Sequence, residues 1–113
     1  MSQSAAADAV FHALSNPTRR KVLERLSAGP ATVSELAAPF DMQLPSFVQH
    51  LSVLERSRLV RSTKQGRVRT YEIAPERFQV VEDWLTARRK SWEARLDRFD
   101  LYVKRLKEKE SGS

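Results

Sequence analysis

The stretch "LPSFVQHLSVLERSRLV", residues 44–60, decides the reading of the chain. Leu44, Phe47, Leu51 and Leu54 recur at spacings of three, four and three, which stacks them on one face of a helix beginning near Gln43. That face docks on the helices before it. Gln43, Ser46, Gln49, His50 and Val53 point elsewhere, and none of them carries a strong charge. Acidic side chains are absent until Glu55.

Hydrogen-bonding groups with one methyl-bearing residue among them match the major groove of duplex DNA, where base edges offer donors, acceptors and thymine methyls. Taken alone, the same face also fits a helix that merely meets water. The surroundings separate the two. Between Gln43 and Thr70 stand six bases, Arg56, Arg58, Arg61, Lys64, Arg67 and Arg69, against the single acid Glu55. A neutral reading face with a basic rim is what base readout combined with phosphate positioning requires.

Upstream, "SNPTRRKVLERLSAG" reads as a helix capped by Asn16, opened by Pro17 and closed before Gly29, with Val22, Leu23 and Leu26 inward. A first helix precedes it, from about Ala5 to Leu14. "TVSELAAPF" starts a third, short helix. Its Thr32 and Glu35 have capping-box spacing, and Val33, Leu36, Ala37 and Phe40 face inward. Pro39 stops it, and a brief turn leads into the opening stretch, so the pair forms a helix-turn-helix.

Downstream, Leu59–Lys64 and Val68–Ile73 have strand character and are joined through Gln65-Gly66, a tight hairpin with glycine supplying positive φ. Such a hairpin, rich in arginine and following a helix-turn-helix, is a wing. From Pro75 to about Lys107 the pattern is one long helix. Phe78, Leu85, Trp92, Phe99 and Leu106 recur every seven residues, with Leu96 and Val103 four residues on, which makes a seam for another helix. The small winged core is too small to cover it, so a second subunit is expected there. The expected organisation is mainly α with a small β-hairpin: a winged helix-turn-helix core over about residues 8–74, a C-terminal dimerisation helix over 75–107, and a disordered tail over 108–113.

The whole chain agrees. Its 113 residues suffice for one domain with little stability to spare, and a net charge of +6 favours a polyanionic partner. Without cysteine there is no disulfide, thiolate metal site or cysteine catalysis. No apolar run approaches the ~20 residues that span a bilayer and the start lacks a signal pattern, so a cytoplasmic protein without membrane contact is expected.

Taken together, "ALSNPTRRKVLERL", "TVSELAAPF", "LPSFVQHLSVLERSRLV" and "GRVRTYEI" resemble the ArsR-type winged helix-turn-helix transcriptional regulators over about residues 8–106. The "LPSF" opening and the tail "WLTARRKSWEARLDRFDLYV" look more like a subgroup without metal-sensor motifs. The resemblance implies a homodimer built through the first and last helices, binding a near-palindromic operator, most often as a repressor. The residues expected at the bases are Gln43, Ser46, Phe47, Gln49, His50 and Val53, and those expected at phosphates and wing contacts are Lys64, Gln65, Arg67 and Arg69. Phe11, Leu85, Trp92, Leu96, Phe99 and Val103 fall at the dimer interface.

Three departures stand out. Many such regulators have serine where Gln43 and Val48 stand here, and glycine where Arg58 stands. A left-handed Arg58 costs ~1 kcal/mol relative to glycine. The metal-sensing cysteines and histidine clusters are also missing, and His12 and His50 are not spaced as a ligand set. His12 with Asp8 is read as an ion pair rather than a metal site. No cofactor is expected, and any effector is unknown. Trp84 and Trp92 suit either an effector pocket or a dimer core, and the seven-residue seam favours the core. Arg19 and Arg20 read as structural bridges or phosphate clamps, while Arg88, Arg89 and Lys90 face solvent or bridge Glu82 and Asp83. No nucleophile-base pair, carboxylate dyad or phosphate loop is visible, which speaks against an enzyme. The rival readings are a winged-helix protein-interaction module and a non-specific nucleic-acid-binding protein.

Overall fold

The fold is described from a computed structural model, over residues 3–111. Its elements run α1 (Gln3–Leu14), α2 (Pro17–Leu26), β1 (Ala31–Thr32), α3 (Val33–Ala37), α4 (Leu44–Arg56), β2 (Val60–Gln65), β3 (Val68–Ile73) and α5 (Glu76–Ser111). The chain divides after Val81 into two compact units.

In the first unit each helix is punctuated by its own sequence. Asn16 Oδ1 accepts from the Arg19 backbone N–H at 3.2 Å, and Pro17 takes the first helical turn, where it loses no bond. Thr32 and Glu35 form the full reciprocal capping box at the start of α3. The end of α4 is a Schellman motif. The Leu59 N–H reaches back to the Leu54 carbonyl at 3.1 Å and the Arg58 N–H to the Glu55 carbonyl at 3.0 Å. Arg58 stands in the left-handed region at φ 62°. Leu54 and Leu59, both fully buried, make the apolar contact that accompanies such a cap.

The core gathers Val10 and Ala13 of α1, Val22, Leu23 and Leu26 of α2, Leu36 of α3, Phe47, Leu51 and Leu54 of α4, and Tyr71 of β3. Phe78 and Val81, at the start of α5, also pack there. β1 adds a third strand in the order β1-β3-β2, pairing Ala31 with Tyr71 and Thr32 with Thr70. Sequence patterning gave no sign of this strand, because two residues are too short to show alternation.

The hairpin turn is displaced by one residue from the expected one. Gln65 pairs with Val68, so Gly66 and Arg67 are the two central residues. Gly66 has φ +64° and Arg67 does not share that sign, the combination of a type II′ turn.

Two further corrections concern Leu44 and the tail. Leu44 does not join the buried face but is 54% exposed at the first position of α4, while Met42 just before the helix packs in part against the core. The expected disordered tail from 108 is helix through Ser111, since the Lys and Glu residues there are good helix formers and continue α5. Residues 112–113 lie outside the described residues.

The second unit is the remainder of α5. Here Leu85, Trp92, Leu96, Phe99 and Leu106 are exposed, Phe99 at 62%. Arg89 bonds Glu93 one turn on, rather than an acid before it, and the Arg88 guanidinium lies over the Trp84 ring at 5.1 Å from its centroid. Among the described residues no helix is long and apolar enough to cross a membrane.

Candidate nucleic-acid interface

The outer face of α4 is set by burial of its inner one. Phe47, assigned from sequence to the base-reading set, is fully buried and tilts its ring against Phe40 at 5.3 Å between centroids. It is a core residue, at the spacing that puts it beside Leu51 and Leu54. Gln43, Ser46, Val48 and Gln49 are exposed, and His50 and Val53 are half-buried. Val53 packs in part against the core, so only its edge reaches the outer face. Gln43 occupies the N-cap position without a side-chain cap bond, which leaves its amide available outward.

Arg19, Pro45, Ser46, Gln49, His50 and Val53 line a shallow cleft of about 320 Å³. His50 is the polar group with the most definite setting in it. The Arg19 guanidinium donates from Nη1 to His50 Nδ1 at 3.0 Å. Burial, and then the positive charge of Arg19, hold the imidazole below its ordinary pKa, so His50 is neutral at pH 7. Sequence reasoning missed this pair because its members lie 31 positions apart. One signal was present. Arg19 precedes Val22, Leu23 and Leu26 at helical spacing, so a charged residue stands on the inward stripe.

The wing shows a second arrangement. Val60, Ser62 and Lys64 face the same side of the hairpin as Ile73, Tyr71 and Arg69, their partners across the strands. Near the core this side buries Val60 and Tyr71, and burial, with Glu55 adding to it, raises the tyrosine pKa. At the outer end the same side sets Lys64 directly opposite Arg69, a like-charge pair that costs stability unless an anion lies against it. Arg69 donates to Ser62 Oγ at 2.7 Å, and Ser62 donates in turn to Glu55 of α4 through a short hydrogen bond. The wing is thus joined to the end of α4. Arg67 stands exposed at the turn. Arg61 belongs to neither group, because Glu72 at 2.9 Å and Glu76 at 3.6 Å neutralise it.

The remaining sequence candidates are placed as follows. Arg20 caps α1 by donating to the Leu14 carbonyl at 2.6 Å, a structural bridge. No ion pair joins Asp8 to His12, whose carbonyl instead accepts from Arg19 and Ser15. Among the described residues no group of three His, Cys, Asp or Glu side chains is disposed to hold a metal ion.

Comparison with known proteins places this geometry. Residues 14–63 match the family model of a helix-turn-helix domain. The HTH-type transcriptional regulator Rv2034 of Mycobacterium tuberculosis is 40% identical over 75 residues, covering 66% of this chain and 70% of that protein. The transcriptional repressor SdpR of Bacillus subtilis is 32% identical over 76 residues, covering 67% of this chain and 84% of the repressor. The crystal structure of an ArsR family transcriptional regulator superposes with a TM-score of 0.77 at 56% identity, over 80% of this chain and 93% of that one. The chain belongs to the ArsR family of transcriptional regulators. An ArsR-like regulator from Rhodococcus sp. RHA1 extends the likeness over 85% of this chain and 91% of its own, with a TM-score of 0.73 at 28% identity. Within the ArsR fold, α3 and α4 are the helix-turn-helix and β2–β3 the wing.

Proposed function

We propose that this ArsR-family chain is a homodimeric, sequence-specific DNA-binding repressor of cytoplasmic location. Each α4 enters a major groove of a near-palindromic operator, and each wing lies along flanking phosphates. The observation that carries the reading is the contrast between a neutral, exposed α4 face and the opposed Lys64–Arg69 cations, of which Arg69 is tied through Ser62 to the end of the same helix. In this reading Gln43, Ser46, Gln49 and His50 meet base edges, with the exposed edge of Val53 beside them. Lys64, Gln65, Arg67 and Arg69 hold phosphates. Phe11, Leu85, Trp92, Leu96, Phe99 and Val103 form the interface between subunits.

Repression is supported by the name that the Bacillus subtilis relative carries, and dimerisation by the exposed apolar seam of α5. The activity is binding, not catalysis, in keeping with relatives that are regulators. Two-fold symmetry places the half-sites about one turn apart, ~10 bp.

Selection from a random duplex pool followed by footprinting tests the reading. The expected result is a two-fold sequence with that spacing, whose affinity falls ~10³–10⁵-fold between 50 and 200 mM salt if 6–10 phosphates are contacted. Equal affinity for selected and random duplexes would overturn it in favour of a non-specific nucleic-acid-binding protein.

A further inference from the structure

Arg19 is 7% exposed and, among the described residues, forms no ion pair with a carboxylate. A guanidinium in that position has to be satisfied by acceptors. It donates from Nε to the Ala13 carbonyl at 2.8 Å and from Nη2 to the His12 carbonyl at 3.0 Å. Both carbonyls belong to the last turn of α1, where helical carbonyls lack partners and the helix dipole is negative, so the positive charge is well placed without an acid. The third contact leaves the helix end altogether and runs from Nη1 to His50 Nδ1.

Arginine has only donors. His50 Nδ1 therefore accepts, and the single ring proton of the neutral imidazole resides on Nε2. Among the described residues Nε2 has no hydrogen-bond partner, and no buried side-chain nitrogen or oxygen is left unsatisfied, so Nε2 reaches solvent. His50 is one of the residues lining the cleft that Ser46 and Gln49 also line.

We infer that Arg19 is a positioning residue that fixes the tautomer of His50, so that His50 presents a hydrogen-bond donor and selects an acceptor on the DNA. This rests on the DNA-binding reading above and narrows it. The acceptor is a purine N7, a base carbonyl oxygen or a phosphate oxygen. The exocyclic amino groups of cytosine and adenine are excluded, because an N–H cannot accept from them. The same three contacts tie the end of α1 to the reading helix, so a shift of α1 would reach His50 directly.

Nitrogen NMR of the full chain labelled in its histidines, with His50 assigned by loss of its signals in His50→Gln, reads the tautomer. The expected wild-type spectrum has bare Nδ1 and protonated Nε2. Arg19→Lys keeps the charge but loses the planar fork and is expected to give mixed tautomers in a chain whose helical circular dichroism is unchanged. Should Arg19→Lys fail to fold, the wild-type spectrum still decides, and a proton on Nδ1 there overturns the inference.

On a selected duplex, single acceptors are then removed, purine N7 by deazapurine, base carbonyl oxygen by thiocarbonyl and phosphate oxygen by methylphosphonate. One such change per half-site is expected to weaken wild-type binding about fivefold and to have no effect on His50→Ala. A deazapurine or thiocarbonyl position identifies a base, and a methylphosphonate position a phosphate. The absence of any position that behaves so overturns the acceptor assignment. A chain that binds no duplex, with Nε2 still protonated, overturns the DNA reading and that assignment together, and the spectrum tells this failure from a wrong tautomer.

Discussion

The two units of the chain treat their apolar residues in opposite ways. In the first, up to Val81, Phe47, Leu51, Leu54 and Leu59 are completely buried, and even Arg19 finds an acceptor for each of three nitrogens. In the second, Trp92, Leu96 and Phe99 keep more than half of their surface exposed along a seven-residue repeat. The first unit buries a core of its own and leaves only scattered apolar side chains such as Phe11 and Val68 exposed, whereas the second carries a continuous exposed apolar seam. Stability and self-association are therefore expected to be separable by mutation, and specificity is expected to lie with the first unit.

The largest effect tests that separation. Leu96→Glu with Phe99→Glu places two charges on the seam, where burial without a partner costs several kcal/mol. Native mass spectrometry is expected to show a monomer, with operator affinity lowered at least ~100-fold, equivalent to about 2.7 kcal/mol. The core of the first unit should keep its packing by NMR. A variant that remains dimeric and binds normally would move the interface elsewhere.

Within the first unit the wing and the α4 face are expected to differ in kind. Arg67→Ala with Arg69→Ala is expected to weaken all duplexes alike and to make the salt dependence shallower by about two in slope. Gln49→Ala is expected to cost ~1–3 kcal/mol on the selected operator and little on random DNA. Identical behaviour of the two variants in a salt titration on both duplexes would erase the division of roles.

A smaller effect follows from His50. Its folded-state pKa lies below the ordinary value, so the unfolded chain takes up the proton first as pH falls. The stability contributed by neutral His50 is fully present above about pH 6.5 and is lost as the pH falls through the depressed folded value. Urea unfolding at a series of pH values is expected to show a decline that is weaker in His50→Gln. Equal slopes in the two proteins would show that the folded surroundings of His50, burial first and Arg19 second, do not favour the neutral ring.

The smallest effect concerns Arg58. Its left-handed φ sits in a cap that glycine adopts without steric cost, so Arg58→Gly is expected to raise stability by about 1 kcal/mol. A melting temperature that is unchanged or lower would mean that the arginine side chain contributes as much as its backbone costs.

Much of this was legible beforehand because it is local. A cap needs three or four neighbouring residues, as at Asn16 or Thr32, and a helix face needs one turn's spacing, as for Leu51 and Leu54. The family resemblance followed from such stretches in their order. The errors also occurred where local reading gives out. Leu44 has the right spacing but stands at the first position of the helix and is exposed. The hairpin turn shifted by one residue because Gly66 fits either central position until the register is known.

Sequence by itself determined the capped starts of α2 and α3, which residues repeat along α5, and where the positive charge gathers, since each depends on neighbours within a turn or on simple counting. The tertiary structure alone decided what the polar side chains do. Arg19 meets His50 across 31 residues, Glu55 meets Arg69 through Ser62, and Arg61 is withdrawn from the basic rim by Glu72 and Glu76. Hydrogen bonds and ion pairs act over about 3–4 Å, and only the folded chain brings such distant residues that close.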